Sequence, residues 1–491
     1  MLVDTTGLIA GLFSLVPILI TSFGVLLELK DTIFSNTSQK LTNDGYDFVV
    51  VGGGSAGCVV AARLSENPKH RVLLLEAGGN PNPFAAVPLT TPFLQNHPAT
   101  DWQYTTAPFS DSSGVSMKWP RGRGLGGSST TNFMMYMRGN PLDFDQWANI
   151  TGDFKWSYNN VEHYFKKMED YHGIYKNNLG KHGRNGPLRI EPVIYAPGLD
   201  YVLEAVKEAG YTFSPLEYTQ KRGRRYSTYS AYIKPNLDRP NLEILRYSHV
   251  TKIHFNHNLK ANGVSFVRRG GTSYVTTKRE VIICAGTINS AQLLMLSGIG
   301  PLEHLKSVGI NPLVNLPVGR NLQDHVSTII GPFMLNKPVS FMPPRDVTLI
   351  SIGEFVLNGS GPLSSPLGTI GIGVTSSSSS PEWPNLLHIF ASLGIYEGLG
   401  ATLDQIFGTE NYYTNLFSTF IEQDAHLVNL SLGKPRSTGF IELKDGNPLS
   451  KPIIYPQYYS DPGNQDIQDM IEGYQMLVNL YENTNSLGKK L

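Results

Sequence analysis

The sequence has very few cysteines and no excess of charge of either sign. Only Cys58 and Cys284 are present among 491 residues, which excludes a disulfide-rich scaffold. No Cys-x-x-Cys pair exists, so no structural zinc site is predicted, and we expect no other metal site. The chain carries 40 basic and 40 acidic residues, giving a formal net charge of zero. Because binding to a phosphate backbone needs a basic excess, nucleic acid is not an expected partner.

The composition is that of a large globular protein. Hydrophobic residues make up 41% of the chain, which is enough to fill large cores. At typical domain sizes, the length predicts about three compact units or two large interleaved ones.

The N-terminal region is the longest apolar stretch. Thr5 to Leu27 is uncharged and mostly apolar, with Pro17 near its middle and no positive residue before it. This length suits a transmembrane helix or, although long for one, the apolar region of a secretory signal. We predict a signal within residues 1–30, with a membrane anchor through residues 5–27 as the alternative and a buried helix third. Four glycosylation sequons add support for a secreted glycoprotein: Asn36, Asn149, Asn358 and Asn429. A membrane is an expected partner only if the N-terminal segment is retained.

The first motif that indicates chemistry is a strand followed at once by a glycine-rich turn. Residues 46–51 read as a buried parallel strand, and Gly52, Gly54 and Gly57 then fit G-x-G-x-x-G before a helical segment. Gly52 permits the tight turn, Gly54 lets a diphosphate approach the backbone, and Gly57 allows close helix–strand packing. Glu76 ends the next strand, where a carboxylate can accept hydrogen bonds from ribose hydroxyls and disfavours a 2′-phosphate. These residues predict dinucleotide binding and leave FAD and NAD as alternatives.

A second glycine-rich segment narrows that choice. Residues 122–129 read Gly-Arg-Gly-Leu-Gly-Gly-Ser-Ser and are followed by Asn132 and by Arg138-Gly139. Together with the first motif, this segment resembles the first signature of the glucose–methanol–choline family of FAD-dependent oxidoreductases. Residues 286–300 resemble the second signature of the family, and residues 318–325, 435–443 and 452–456 resemble later segments. The leader and linkers look most like the secreted arthropod branch, glucose dehydrogenases with a quinone acceptor.

The resemblance implies the fold and its organisation. We expect an α/β (α+β overall) protein in which a Rossmann-like FAD-binding domain is interleaved with a substrate domain built on an antiparallel sheet. The predicted segments are 1–30 (signal or anchor), 43–155 and 241–330 (FAD-binding), 156–240 and 331–456 (substrate domain), and 457–491 (start of the C-terminal region). Within 242–267 the sequence predicts strands with a hairpin turn at Asn262-Gly263.

The resemblance also implies the cofactor, FAD, and its contacts. Val250 is expected to contact the adenine through its backbone, although a strand core position explains it equally well. The expected cofactor-binding residues are Gly52, Gly54, Ser55, Ala56, Gly57, Glu76, Gly124, Gly126, Gly127, Ser128, Asn132, Met135 and Val250.

No catalytic residue can be assigned from the sequence. The family takes the hydroxyl proton with a histidine in a late His-Pro segment, and no histidine of this chain matches that segment. The expected position of the catalytic histidine therefore lies beyond Leu491, which suggests a fragment or a truncated isoform. The predicted function is oxidation of the CH-OH group of an alcohol or sugar by hydride transfer to flavin N5, with quinone or oxygen as acceptor. The alternatives are a non-catalytic flavin-binding product and a hydroxynitrile lyase of the same family.

Overall fold

The structure is a computed structural model that describes residues 5–34, 45–108, 114–175 and 180–489, with side chains from residue 15 to 33 in the first range. The sequon at Asn36 lies outside the described residues. The α-helices in these ranges are α1 Thr5–Phe34, α2 Ser55–Leu64, α3 Thr91–Leu94, α4 Pro141–Thr151, α5 Tyr158–Met168, α6 Leu199–Glu208, α7 Gly286–Leu296, α8 Leu302–Ser307, α9 Pro343–Asp346, α10 Leu349–Asn358, α11 Leu399–Phe407, α12 Tyr412–Phe417 and α13 Gln465–Asn483.

The strands are mostly short, as expected for a chain rich in glycine and proline. They are β1 Tyr46–Val51, β2 Val72–Leu75, β3 Tyr104–Thr105, β4 Lys118–Trp119, β5 Glu169–Tyr171, β6 Leu188–Pro192, β7 Phe213–Pro215, β8 Glu217–Tyr218, β9 Gln220–Lys221, β10 Arg224–Arg225, β11 Leu242–Leu245, β12 Ser248–Phe255, β13 Ala261–Arg268, β14 Gly271–Ile283, β15 Ile299–Gly300, β16 Val314–Asn315, β17 Ser327–Met334, β18 Thr369–Thr375, β19 Leu386–Ser392, β20 Ala425–Leu432, β21 Phe440–Glu442 and β22 Ile453–Tyr455.

A six-stranded sheet with the order β11-β2-β1-β14-β13-β12 forms the first half of the structure. The first four strands in this order are parallel, and β12, β13 and β14 form an antiparallel meander. Strands β1 and β2 are almost fully buried, as expected for apolar parallel strands covered on both faces. Helix α2 packs on one face through Cys58, Ala61 and Ala62. Cys58 is thus a small buried core residue with a free thiol.

A five-stranded antiparallel sheet with the order β17-β20-β19-β18-β7 forms the second half. Helices α6 and α13 cover one side of its core, where Leu477 and Leu480 pack with Val428 and Leu430. Strand β7 comes from the chain before β11, whereas the other four strands follow β16, so the chain crosses between the two sheets. This interleaving confirms the predicted fold class, and the exact domain boundaries stay predictions.

One predicted turn is wrong. Asn262 and Gly263 lie inside β13, where Gly263 pairs with His254 on one side and Thr276 on the other. The chain instead reverses at residues 256–260, where Asn256 Oδ1 accepts hydrogen bonds from the backbone N–H groups of Asn258 and Lys260. The Asn side chain therefore builds the turn itself, and Gly263 accommodates the ring of Tyr274, whose hydroxyl oxygen a Cβ would approach to 2.7 Å.

Helix α1 packs on the body of the protein. Val16 and Ile20 contact Ala85 and Leu94 in a small apolar cluster. At the C-terminal end of the helix, Asp31 is buried against three arginines, Arg246, Arg268 and Arg269. No helix in the part of the chain that the structure describes is long and apolar enough to cross a membrane.

The described sequons differ in their surroundings. Asn149 and Asn358 are exposed on α4 and α10, whereas Asn429 is half-buried in β20, which is paired with a neighbouring strand on each side. Because a glycan cannot be accommodated within a paired central strand, only the first two positions suit a modified asparagine in the folded chain.

Candidate functional site

A cavity of about 540 Å³ opens at the carboxyl ends of the parallel strands, where open α/β sheets bind ligands. Its wall includes the N-terminal residues of two helices, Ser55 and Ala56 of α2 and Gly286 and Thr287 of α7. The first turn of a helix leaves backbone N–H groups without partners inside the helix and carries a partial positive charge. Two such termini at one cavity favour an anionic ligand such as a diphosphate.

The first glycine turn has the geometry that its spacing predicted. Gly52 has a φ of +97°, which favours glycine, and a Cβ there would lie 2.6 Å from the carbonyl oxygen of Cys284. A Cβ on Gly57 would lie only 1.8 Å from the carbonyl oxygen of Gly52, so α2 packs directly on the turn. Gly54 differs, because a Cβ there would have no protein atom closer than 3.8 Å and the residue lines the cavity. The space above Gly54 is thus left to a ligand.

Glu76 links the first glycine turn to the second glycine loop. Its Oε2 accepts a hydrogen bond from the N–H of Gly53 at 2.8 Å. Its Oε1 accepts from the N–H groups of Gly78 at 2.7 Å and Gly124 at 3.1 Å. Burial raises the pKa of this carboxyl group, while these N–H donors and the charge of Arg123 act in the opposite direction.

The three bonds of Glu76 leave room for a fourth. A carboxylate has about four acceptor sites, so one site remains for a ligand hydroxyl. Glu76 lines the cavity, and its predicted contact with a ribose is therefore compatible with its bonding. Its role in fixing the two loops was not visible in the sequence, because Gly78 and Gly124 approach it only through tertiary folding.

The second glycine loop lies directly on the first. Gly126 donates its N–H to the carbonyl of Gly53 at 2.7 Å, with a φ of +94°. A Cβ on Gly127 would lie 2.7 Å from the Cα of Gly54. Gly127 and Ser128 line the cavity beside the first turn. The two motifs of the sequence, separated by about seventy residues, thus form one continuous backbone surface.

Aromatic and polar side chains to which the sequence analysis assigned no role also line the cavity. Trp102 stacks on Tyr104 and meets His249 edge to face, and the Arg123 guanidinium lies 5.2 Å from the Trp102 ring centroid. Asn289, at the start of α7, accepts a hydrogen bond from the hydroxyl of Tyr104. Trp102, Tyr104, His249 and Asn289 all line the cavity. Among these four residues, only Asn289 could have been found from the sequence, because it lies in residues 286–300, which resemble the second signature of the family.

The predicted cofactor residues fall into two groups. The first group lines the cavity: Gly52, Gly54, Ser55, Ala56, Glu76, Gly127, Ser128 and Val250. The second group lies outside that lining: Gly57, Gly124, Gly126, Asn132 and Met135. In the second group the glycines shape the two loops, Asn132 is exposed at the end of the second loop, and Met135 packs near Met134 and Tyr218. The ligand contacts of all thirteen residues stay predictions.

The residues of the cavity fit the FAD that the sequence predicted. A diphosphate can approach the backbone at Gly54, the remaining acceptor site of Glu76 suits a ribose hydroxyl, and Val250 lies in β12 on the cavity wall. His249 is the one histidine among the described residues of this wall. Burial lowers its pKa, with a further contribution from the charge of Arg123, and both effects favour the neutral imidazole.

Comparison with known proteins agrees with this geometry. A family model described as GMC oxidoreductase matches residues 46–327. The chain is 36% identical over 460 residues to an alcohol dehydrogenase [acceptor] of Pseudomonas putida, covering 88% of this chain and 77% of that protein. It is 33% identical over 462 residues to a glucose dehydrogenase [FAD, quinone] of Drosophila melanogaster, covering 89% and 70%. Among solved structures, a formate oxidase of Aspergillus oryzae in a study of FAD modification aligns with a TM-score of 0.77 at 27% identity, covering 90% of this chain and 82% of that one.

Proposed function

The chain belongs to the GMC oxidoreductase family, and we propose that it oxidises the CH-OH group of a small alcohol or sugar with FAD as its cofactor. The observation that carries the proposal is the cavity at the carboxyl ends of β1, β2 and β14, where two glycine loops and two helix N-termini meet. An NAD-dependent dehydrogenase would need only the first of these loops. The direct contact between Gly54 and Gly127 supports a cofactor that uses both.

Bound FAD supplies a flavin N5 atom that accepts a hydride from the alcohol carbon. In our proposal the residues of this chain hold the cofactor. The N–H groups at the start of α2 bind the diphosphate, the remaining acceptor site of Glu76 binds a ribose hydroxyl, and the backbone of Val250 meets the adenine. The half-buried Trp102 and the buried Tyr104 stack on each other in the lining of the same cavity.

We propose quinone or molecular oxygen as the species that reoxidises the flavin. The quinone option is supported by the name of the Drosophila relative, a glucose dehydrogenase [FAD, quinone]. The Staphylococcus xylosus relative, at 32% identity, is named an oxygen-dependent choline dehydrogenase and supports the oxygen option. Neither name fixes the acceptor of this chain, so both acceptors belong in the test.

The test is a visible absorption spectrum of the purified full chain followed by anaerobic addition of substrates. We expect oxidised-flavin bands that bleach with at least one member of a panel of primary alcohols, aryl alcohols, choline and glucose. Addition of oxygen or of a benzoquinone to the bleached sample then identifies the acceptor. Gly54→Ala is the matched variant, because it changes the cavity surface and leaves the protein contacts in place.

Three other outcomes would contradict the proposal in different ways. Flavin bands that no alcohol bleaches would indicate a flavin-binding protein without oxidase or dehydrogenase activity. Cleavage of a cyanohydrin without bleaching would indicate a hydroxynitrile lyase. A chain that folds and binds no flavin would contradict the proposed cofactor contacts themselves.

We also propose that the protein is directed to the secretory pathway. The apolar segment at residues 5–27 and the exposed sequons at Asn149 and Asn358 support this proposal. Expression in insect cells, followed by mass spectrometry of the secreted protein, tests it. We expect a mature N-terminus after residue 27 and a mass reduced by N-glycosidase. Retention of the intact N-terminus in the cell would contradict the secretion proposal and favour α1 as a permanent part of the fold.

A further inference from the structure

A buried guanidinium holds the second glycine loop in place. Arg225 of β10 is only 6% exposed. Its Nε donates to the carbonyl of Ala85 at 2.8 Å, and its Nη2 donates to Thr91 Oγ1 at 2.6 Å. Its Nη1 donates to the carbonyl of Ser129 at 3.2 Å and to Asn132 Oδ1 at 2.8 Å. One side chain therefore ties the cofactor loop to the segment at residues 85–91.

All of these partners are neutral. No carboxylate in the described ranges lies within ion-pair distance of Arg225, although the structure has many other Arg–carboxylate pairs. Burial lowers the pKa of Arg225 to about 9, so the group still carries its charge at pH 7. A buried charge without a counter-ion costs free energy, and this cost is offset here only by dipoles.

The bond to Arg225 also sets the orientation of the Asn132 amide. Asn132 Oδ1 accepts from two donors, Arg225 Nη1 and the N–H of Met134 at 3.0 Å. Because both partners are donors, the oxygen must occupy this side and the Nδ2 group must occupy the other. Asn132 is exposed, and its Nδ2 has no acceptor among the described residues. Its loop borders the cavity through Gly127 and Ser128.

We propose that Arg225 is a positioning residue for the cofactor, which locks Asn132 so that the Nδ2–H donors of its amide face an acceptor atom of bound FAD. This inference rests on the proposed function for the cofactor. It adds two properties that the glycine motifs do not specify. The hydrogen bond to the cofactor at this point is donated by the protein, and the charge that fixes its direction is buried without a counter-ion among the described residues.

The decisive variant is Asn132→Asp, because it should raise the stability of the apoprotein and lower its affinity for FAD. An aspartate has the same shape, gives Arg225 a counter-ion and loses the Nδ2–H donors. We expect a higher melting temperature for the apoprotein than in the wild type. We also expect the Kd for FAD to rise by at least about 10-fold, as for the loss of one hydrogen bond to a polar ligand. Asn258→Asp, in the exposed turn at residues 256–260, is the matched control and should change neither value.

Salt separates this loss from simple charge repulsion. Repulsion between the new carboxylate and the FAD diphosphate is screened at high ionic strength, whereas a lost hydrogen bond is not. We therefore expect most of the increase in Kd to persist in about 0.5 M salt, where screening is strong. Arg225→Lys provides the second variant, since one ammonium group cannot reproduce the four hydrogen bonds that the guanidinium makes to the two segments. It should lower FAD affinity and alter the flavin circular dichroism spectrum, which reports cofactor orientation.

The outcomes separate this inference from the proposed function. An Asn132→Asp apoprotein that melts at or below the wild-type temperature would overturn the claim that Arg225 lacks a counter-ion, whether or not FAD binds. Unchanged FAD affinity in that variant would overturn the orientation of the amide. If the wild-type chain itself binds no FAD, the proposed cofactor fails, and the melting temperatures still decide the first half of the inference.

Discussion

Substituting Gly57 by alanine tests whether α2 packs on the glycine turn as closely as the structure shows. The new Cβ would lie 1.8 Å from the carbonyl oxygen of Gly52, whereas real Cβ contacts stay above 3.0 Å. The helix and the turn must therefore separate by at least 3.0 − 1.8 = 1.2 Å. The new Cβ is fixed by the backbone of residue 57, and the carbonyl oxygen of Gly52 is itself a backbone atom. No side-chain rotation can therefore relieve the clash. We expect a loss of about 3 kcal/mol in the free energy of unfolding, the upper end of the usual cost of overpacking.

Gly54→Ala gives the opposite result from a site only three residues away. Its Cβ would have no protein atom closer than 3.8 Å, and its backbone angles of −76° and −159° suit alanine. We expect the apoprotein to keep its stability. The methyl group would, however, stand where a diphosphate approaches the N–H groups of α2. Loss of one or two charge-assisted hydrogen bonds, about 1.5 to 3 kcal/mol in all, raises the Kd for FAD by roughly 10- to 100-fold.

The assay measures two quantities for each variant, the melting temperature of the apoprotein and the Kd for FAD from quenching of flavin fluorescence. Gly353→Ala is the control, because Gly353 lies in α10 with open space around it. It should stabilise the helix by about 0.5 to 1 kcal/mol and leave FAD binding unchanged. A Gly57→Ala apoprotein as stable as the wild type would refute the packing argument. Unchanged FAD affinity in Gly54→Ala would refute the assigned position of the diphosphate.

Three further perturbations test other parts of the structure. Glu76→Gln places an amide donor against backbone N–H donors in either orientation. We therefore expect the free energy of unfolding of the apoprotein in urea to fall by about 1 to 3 kcal/mol. An unchanged urea midpoint would contradict the three hydrogen bonds that Glu76 accepts. His426 is buried with a pKa lowered to about 4, so the unfolded chain takes up the proton first, and this one group lowers the stability by about 3 kcal/mol as the pH drops from 6.5 to 4. His426→Gln should lose this part of the pH dependence, whereas the exposed His257→Gln should keep it. In the full chain, before any removal of the N-terminal segment, Asp31→Asn takes away the carboxylate that three arginines share, and we expect faster proteolytic removal of α1 at an unchanged Kd for FAD. A cleavage rate equal to that of the wild type would show that the ion pairs do not hold the helix.

The local sequence alone determined the parts of the site that depend on short-range backbone geometry. The strand at residues 46–51, the turn at Gly52 and the packing role of Gly57 were all predicted, because apolar runs and glycine spacing restrict the backbone within a few residues. The fold class followed for the same reason, aided by the resemblance of the later segments. The Asn262-Gly263 turn was predicted wrongly because cross-strand pairing on both sides of β13 outweighed the local turn preference.

Only the tertiary structure decided which distant side chains complete the site. Glu76 bonds to loops that lie two and forty-eight residues further along the chain, and Trp102 packs edge to face on the distant His249. Arg225 reaches Asn132 from a strand ninety-three residues away, and nothing in either local sequence indicates the other. Such contacts depend on how the two sheets and their connecting segments pack, and many different packings satisfy the same local preferences. Short-range geometry therefore determines the first glycine turn at residues 52–57. Long-range packing supplies the charges and hydrogen bonds that surround this turn.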